Sequence, residues 1–512
     1  MNKKLLLLFF VVSTYFAFSQ SEDAWVYLTD KADVQNSINN PITILTQRAI
    51  DRKSRHGVVI DERDVPVNES YISVLKSQSG ITVMSKSKWF NAVHVRGTEA
   101  DINALSSLGF VASIDFANKS LNSARFLDSK NKFEIENTQV DFVYGTTQNQ
   151  VEMINADALH SLDYTGNGML IAVLDAGFPE VNTMQTFERL RNNSNLLNGY
   201  DFVDRTTNVY AFSANNHGTK VLSTMAGFIE DQFVGTAPDA SYYLFRTEDV
   251  FSENPVEMSY WVEAAERADS LGVDVINSSL AYKDFDGTQY DYTASEMDGT
   301  TAFISKGANI ASEKGILVVN SAGNSGPNDG SHGGIWAPAD APGVLTIGAV
   351  NSSGTIASFS SRGSAFQTVQ KPDVVAQGQA AYVVNEFDAI VTNNGTSFSS
   401  PITAGGLTCL WQALPNATNV EIMNYVRQSA SQYLTPDNNY GYGIPDLGLA
   451  LGIGLSVQEE KLNTLKIFPN PVNDILYVKV PYEIEQTVIT IYNVLGKVIL
   501  QKNITKSDFF IN

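Results

Sequence analysis

Three residues far apart in the sequence could together turn a serine into a nucleophile. Ser397 stands in "NNGTSFSSPITAGG" (Asn393 to Gly406), a crowded run of small residues. The helix after it opens with Ser, Pro and Gly rather than with good helix formers. Such a run suits a place where another backbone must approach closely. A serine hydroxyl there is a weak nucleophile until a base lies within hydrogen-bond reach. The chain has five histidines. His56 and His94 fall in its N-terminal part, His160 in a connecting segment and His332 in a Gly-rich loop. His217 differs: "NNHGTKVLSTMAG" puts it at a predicted helix start, with Gly218 leaving room beside the ring. Asp175 ends the apolar run "MLIAVLD", and a carboxylate closing a buried strand needs a partner. In combination, His217 takes the proton of Ser397, while Asp175 fixes the ring's tautomer and stabilises the imidazolium. A lone histidine before a helix is usually a cap or a packing residue; the set of three points to acyl transfer.

These residues need a scaffold that brings distant segments together. From about Gly145 to Leu455, short apolar runs ("MLIAVLD", "SYYLFR", "VDVINSSL", "GILVVNSAGN", "GVLTIGAV") alternate with helical patterns at His217 to Ala226, Pro255 to Leu271 and Thr301 to Lys314. Continuous Val/Ile/Leu runs between helices predict an α/β fold, with a mostly parallel, doubly wound sheet covered on both faces. Sites on such sheets form at the carboxyl ends of strands, where Asp175, Asn277 and Asn324 fall. The Gly-Asn-Gly at Gly166 to Gly168 precedes a strand instead of following it, which argues against a dinucleotide site.

The flanks read differently. "MNKKLLLLFFVVSTYFAFSQ" has a basic start, a short apolar run and an A-x-A-like end, so residues 1–19 are expected to be a cleaved export signal. No later apolar stretch is long enough to span a bilayer. Residues 20–144 form a charge-balanced α+β unit, with strand, strand, helix (Glu99 to Leu108) and strand, ending in a polar linker from Asn118 to Asn131. Residues 145–455 make the central domain. In residues 463–512, "LKIFPNPVNDILYVKV" and "TVITIYNVLGKVILQK" alternate apolar and polar positions, which predicts a small antiparallel β-domain.

Net charge is −21, and the excess lies between Thr146 and Leu455, where 33 acidic residues face 12 basic ones. Like charge makes nucleic acid and anionic membranes poor partners for this region; a solvated acidic surface suits an exported protein. Calcium is compatible with so many carboxylates, but no Asp-x-Asp-x-Asp-Gly loop with a ligating Glu occurs, so any structural site stays open. No residue is assigned as a metal ligand, and no cofactor is needed for the chemistry. Cys409 is the one cysteine; in "ITAGGLTCLWQAL" it reads as a small buried hydrophobe.

With "IAVLDAGF", "HGTKVLSTMAG", "NSSLA", "SAGNSG" and "GTSFSSP" in this order, the chain resembles the subtilisin-like serine peptidases from about Thr165 to Leu447. The order Asp, His, Ser differs from that of α/β-hydrolases, and Ser397 sits in no G-x-S-x-G elbow. The resemblance implies a triad of Asp175, His217 and Ser397 and an oxyanion hole from the Asn324 side chain and the Ser397 backbone N–H. It also implies a substrate strand along Ser279, Leu280 and Ala281, and a first specificity pocket lined by Ala322 and Gly323. Ala176, Lys220 and Ala281 depart from the residues usual in the family. Trp336 counts to the base of that pocket, where it would favour small residues before the cut bond; the alternative is an ordinary packing residue. Residues 20–144 resemble the family's propeptides, which implies an intramolecular inhibitor, with a retained domain as the alternative. The tail is similar to type IX secretion sorting domains, and the sequence stops before that family's closing strands. The resulting expectation is a monomeric endopeptidase acting on proteins or peptides, exported through the periplasm and secreted or held at the cell surface. An esterase acting on small substrates and a catalytically silent binding protein are the competing readings.

Overall fold

The computed structural model describes residues 21–121, 142–327, 334–462, 466–468, 475–479, 486–493, 497–505 and 510–511. The expected export signal, most of the linker and His332 lie outside these residues.

In the central domain seven strands form one parallel sheet. They are β5 (Leu170–Asp175), β6 (Tyr200–Asp201), β7 (Ser241–Arg246), β8 (Val275–Ser278), β9 (Leu317–Ser321), β10 (Val344–Val350) and β11 (Val374–Gln377), in spatial order β11-β10-β9-β8-β5-β7-β6. The apolar runs are continuous because both faces are buried. Ile171 and Val173 of β5 join one core cluster, while Ala172 and Leu174 join the other. Helices α4 (His217–Ala226) and α7 (Thr396–Ala413) belong to the first side, α5 (Val256–Leu271) and α6 (Phe303–Glu313) to the second. The strand order reverses at β5, so its carboxyl end, at Asp175, faces the crevice where such sheets place their sites. Missing from the sequence reading were the short β6, the last strand β11, and a hairpin of β12 (Ala381–Val384) and β13 (Ile390–Asn393) that leads into α7.

The small residues of α7 follow from its position. Thr396 to Trp411 are buried throughout. A Cβ on Gly405 would run into Thr236, and one on Gly406 into Leu447. Pro401 lacks the N–H that would bond to the Ser397 carbonyl, and the Ser279 hydroxyl donates to that oxygen instead at 3.1 Å. The poor helix propensity is thus offset by close packing of neighbouring segments.

The N-terminal domain is a four-stranded antiparallel sheet of β1 (Ser21–Leu28), β2 (Thr82–Ser87), β3 (Ala92–Thr98) and β4 (Val111–Phe116), in order β2-β3-β1-β4. The predicted strand, strand, helix, strand pattern is present as β2, β3, α3 (Glu99–Ala104, continued by a 3₁₀ turn) and β4. One face of the sheet lies on α5. Trp25 Nε1 donates to Ser259 Oγ at 2.8 Å, Ser85 Oγ to Glu263 at 2.9 Å, and the Lys88 and Trp89 N–H groups to the Glu266 carboxylate at 2.8 and 3.0 Å.

A second contact comes from helix α1 (Gln47–Arg55), inserted between β1 and α2 (Glu69–Lys76). Its basic side meets acids at the far end of α5. Arg52 and Lys53 pair with the fully buried Asp269 at 2.6 and 2.8 Å, and Arg48 pairs with Asp274. In the reverse sense, Lys314 of the central domain pairs with Asp64 and Asp61 at 2.7 and 2.9 Å. Removing one partner of a buried pair leaves an uncompensated charge and costs about 3–5 kcal/mol. Asp269→Asn is therefore expected to lower hydrogen-exchange protection of residues 47–55 by about 10²–10³-fold. Protection equal to wild type would show that α1 is held by something else.

The tail carries the predicted strands, at Lys466–Phe468, Leu476–Lys479, Gln486–Tyr492, Val498–Thr505 and Phe510–Ile511, with antiparallel pairing throughout.

Candidate active site

Asp175 ends β5 fully buried. Its Oδ1 accepts from His217 Nδ1 at 2.8 Å and from the Ala176 N–H at 2.7 Å. His217 opens α4, and its ring is 31% exposed. Gly218 allows this approach, since a Cβ there would stand 2.6 Å from the Gly177 carbonyl oxygen. Burial opposes an imidazolium, but the charge and hydrogen bond of Asp175 outweigh it and hold the His217 pKa above the ordinary histidine value. Helix α4 packs on α7, which begins at Thr396. Ser397 is buried in its first turn, and the Phe398 ring lies 5.9 Å from the His217 ring. No hydrogen bond joins Ser397 Oγ to His217 Nε2 among the described residues; links of this kind commonly tighten only around a substrate.

Asn324 follows β9 at the same end of the sheet. Its Oδ1 accepts from Thr396 N at 2.9 Å and Thr396 Oγ1 at 3.0 Å, which fixes the amide with its Nδ2 turned the other way. Gly395 has φ 153° and ψ 146°, a conformation almost confined to glycine. A Cβ built on it would lie 3.6 Å from Asn324 Nδ2 and 3.6 Å from the Ser397 N. Two N–H donors therefore bound one space that only glycine leaves open.

The other predicted residues take these positions. Ser279 and Leu280 are buried and Ala281 is partly exposed just beyond β8, with Ser279 bonded to the Ser397 carbonyl. Ala322 is buried and Gly323 partly exposed after β9; Gly323 N donates to Thr396 Oγ1 at 3.1 Å. Asn277 sits in the core, where its Oδ1 accepts from Ser400 Oγ at 3.0 Å, and so links β8 to α7. Trp336 is not grouped with Ala322. It packs with the cluster containing Tyr282 and Phe285, with Lys283 Nζ 5.5 Å from its ring. Its neighbour Ile335 shares a buried cluster with Ala322 and Ala339. These two adjacent residues thus fall in different clusters, so a count exact to one residue decides which of them meets the pocket. The remaining described histidines serve packing: His94 lies between Asp23 and Ser259, His56 stacks on Trp411, and His160 bonds to Tyr144 and the Thr236 carbonyl. Cys409 is buried, as its setting suggested.

Sequence reading missed an acidic wall beside the site. Glu248, Glu253 and Glu257 bring carboxylate oxygens within 4.8 Å of one another, the one group of described residues that could hold a metal ion. Burial, the largest cause for each, pushes their pKa values up to about 7, 8 and 10, helped by the Asp175 charge at Glu248 and by the Glu248 charge at Glu253 and Glu257. All-oxygen donors suit a hard cation such as calcium. Yet Tyr282 Oη bonds Glu248, and the Asp249 and Asn254 N–H groups bond Glu257, so the cluster is largely satisfied by shared protons and internal donors. Glu248 lies close enough to feel the charges of Asp175 and His217. The available signal was four acids within residues 248–257 directly after a strand end.

Comparison with known proteins adds three matches. Residues 166–443 match the Subtilase family, residues 23–135 the Peptidase S8 propeptide domain of Bacteroidota, and residues 466–512 a secretion system C-terminal sorting domain. Subtilisin E of Bacillus subtilis (strain 168) is 32% identical over 295 residues, covering 57% of this chain and 68% of that protein. Subtilisin of Bacillus pumilus is 31% identical over 295 residues, with 57% and 94% covered. Among solved structures, MycP1 from the ESX-1 type VII secretion system aligns with a TM-score of 0.46 and 23% identity, covering 63% of this chain and 89% of that one. The N-terminal domain thus stands as a propeptide, with intramolecular inhibition as its implied role, and the tail marks the protein for secretion and the cell surface. No helix among the described residues is long and apolar enough to cross a membrane. The family match spans more than half of the chain and contains the aspartate–histidine pair, the Asn324 amide and Ser397: the chain belongs to the subtilase family of serine endopeptidases.

Proposed function

We propose that Ser397 is the nucleophile, His217 the general base and acid, and Asp175 the group that orients and charges-balances the ring. Ser397 Oγ attacks the scissile carbonyl carbon while its proton passes to His217 Nε2. The carbonyl oxygen becomes an oxyanion in the space bounded by Asn324 Nδ2 and Ser397 N. The C–N bond then breaks, the leaving nitrogen takes the proton from His217, and the acyl group stays on Ser397. Water repeats the sequence and releases the acid. Side-chain and backbone groups of one chain supply every step, so a monomer suffices and the reaction draws on no cofactor. The substrate strand is assigned to Ser279, Leu280 and Ala281. The first specificity pocket is assigned to Ala322, Gly323 and Ile335, whose small and apolar walls favour small or medium apolar residues before the cut bond.

The observation that carries this reading is the 2.8 Å bond from Asp175 to a histidine opening a helix that packs on the one headed by Ser397. The expected result is that a fluorophosphonate probe labels the secreted protein once, with the label mapped by mass spectrometry to the peptide containing Ser397. Labelling elsewhere, or none on a protein that still cleaves casein, would overturn the assignment.

A further inference from the structure

The hairpin leading into Ser397 holds one large apolar side chain in solvent. Phe387 is 79% exposed at its tip, yet everything around it is tied down. Asn385 Oδ1 accepts from the Phe387 N–H at 3.0 Å and the Ala389 N–H at 3.1 Å. Asp388, at φ +55°, accepts from Gln185 N, Thr186 N and Thr186 Oγ1 at 2.7, 2.9 and 2.7 Å. Glu386 accepts from the Asn216 side chain, and Ser223 Oγ of α4 accepts from the Val384 N–H at 2.9 Å. A turn needs no aromatic ring, and exposing one to water is unfavourable. Here an αL aspartate and two side-chain clamps fix the hairpin tip that carries the ring, and Glu386 next to it reaches the residue that precedes His217.

The reaction's direction says what passes there. The acyl half of the substrate is assigned to the flank of Ser397 formed by Ser279, Leu280 and Ala281. The leaving half must sit by His217, which protonates its nitrogen, and Asn216 ties that flank to the hairpin tip. We propose that Phe387 is a specificity-determining residue that receives a large apolar side chain from the part of the substrate following the cut bond. This rests on the assignment of Ser397 and His217 above. Strand β13 has four residues and so spans about 13 Å at 3.3 Å per residue. An extended substrate leaves the site at the same rise, which brings its third or fourth residue after the cut bond level with the ring.

The test expresses the full chain and uses the protein recovered from the medium, with two substrate sets sharing one acyl half. One is an internally quenched peptide library varied over the four positions after the cut bond; the other is a p-nitroanilide, which has no residue there. For the wild type, Phe, Leu or Met at the third or fourth position is expected to raise kcat/KM about tenfold over Gly. Phe387→Ala should remove that preference, with a loss on those peptides about fivefold or more beyond any loss on the anilide, and Phe387→Trp should retain it. A wild-type profile flat at both positions overturns the proposal, as does an unaltered profile in Phe387→Ala, or equal losses on peptide and anilide. If the wild type cleaves neither substrate set and takes no fluorophosphonate label at Ser397, the nucleophile assignment itself fails, which is a separate result from a flat profile on an active enzyme.

Discussion

Ser397→Ala should lower kcat by about 10⁶, the loss that removal of the nucleophile causes in subtilisin, from which this magnitude is taken. The substitution removes one oxygen from the first turn of α7 and leaves the packing of that helix on Thr236 and Leu447 in place, so stability should hardly change. Remaining catalysis over water would come from the two donors beside Gly395 and from substrate binding. Two readouts follow. Peptide hydrolysis should fall to the detection limit, and, if maturation depends on the chain's own activity, the secreted protein should retain its N-terminal domain by intact mass. Residual kcat within about a hundredfold of wild type would mean that another group is the nucleophile.

Asp175→Asn should lower kcat by about 10⁴, the cost of the equivalent change in a serine peptidase triad. Asp175 Oδ1 already accepts from the Ala176 N–H and from His217 Nδ1. An asparagine can keep its oxygen on the backbone N–H only by offering His217 the same single atom, or it can present its NH₂ to the ring. The second arrangement puts the ring proton on Nε2, the atom that must accept from Ser397. A shift in the pH profile accompanies the loss. His217 acts as a base only when neutral, and its pKa is raised by Asp175 against the opposing effect of burial. In wild type the acid limb of kcat/KM should therefore lie above the usual histidine value of about 6.5. Without the aspartate charge, burial and the Lys220 charge are opposed only by Glu248, and the limb should move to lower pH. A limb that stays in place in the variant would show that Asp175 does not set the ring's charge.

Much of the proposed catalytic machinery was legible because it is written in residues that only a close approach demands. Gly395 takes a backbone conformation almost closed to other residues, and Gly218 lies against the Gly177 carbonyl. Constraints of this sort act within a few residues of the functional group, so short strings such as "HGT" and "NGTS" carry them intact. The two-sided burial of the sheet was readable for a similar reason, since each strand's own run shows that it has no solvent face. Resolution was lost where position depended on an exact count. Ile335 and Trp336 are adjacent, yet one joins Ala322 and the other joins Tyr282.

Features built from several distant segments left little trace in any one of them. Arg52 and Lys53 look like solvated charges on a short helix until Asp269, more than two hundred residues later, is found buried against them. Glu248 and Glu253 precede the helix that carries Glu257, and only folding brings the three carboxylates within 4.8 Å of one another. The sequence by itself determined the class of fold, the proposed reacting groups and their local room to act, because those are set by backbone sterics and burial within single segments. Tertiary structure alone decided which charges share one low-dielectric space and which hairpin is tied to the start of the His217 helix. Both depend on distances between segments, and a linear order of residues does not contain them.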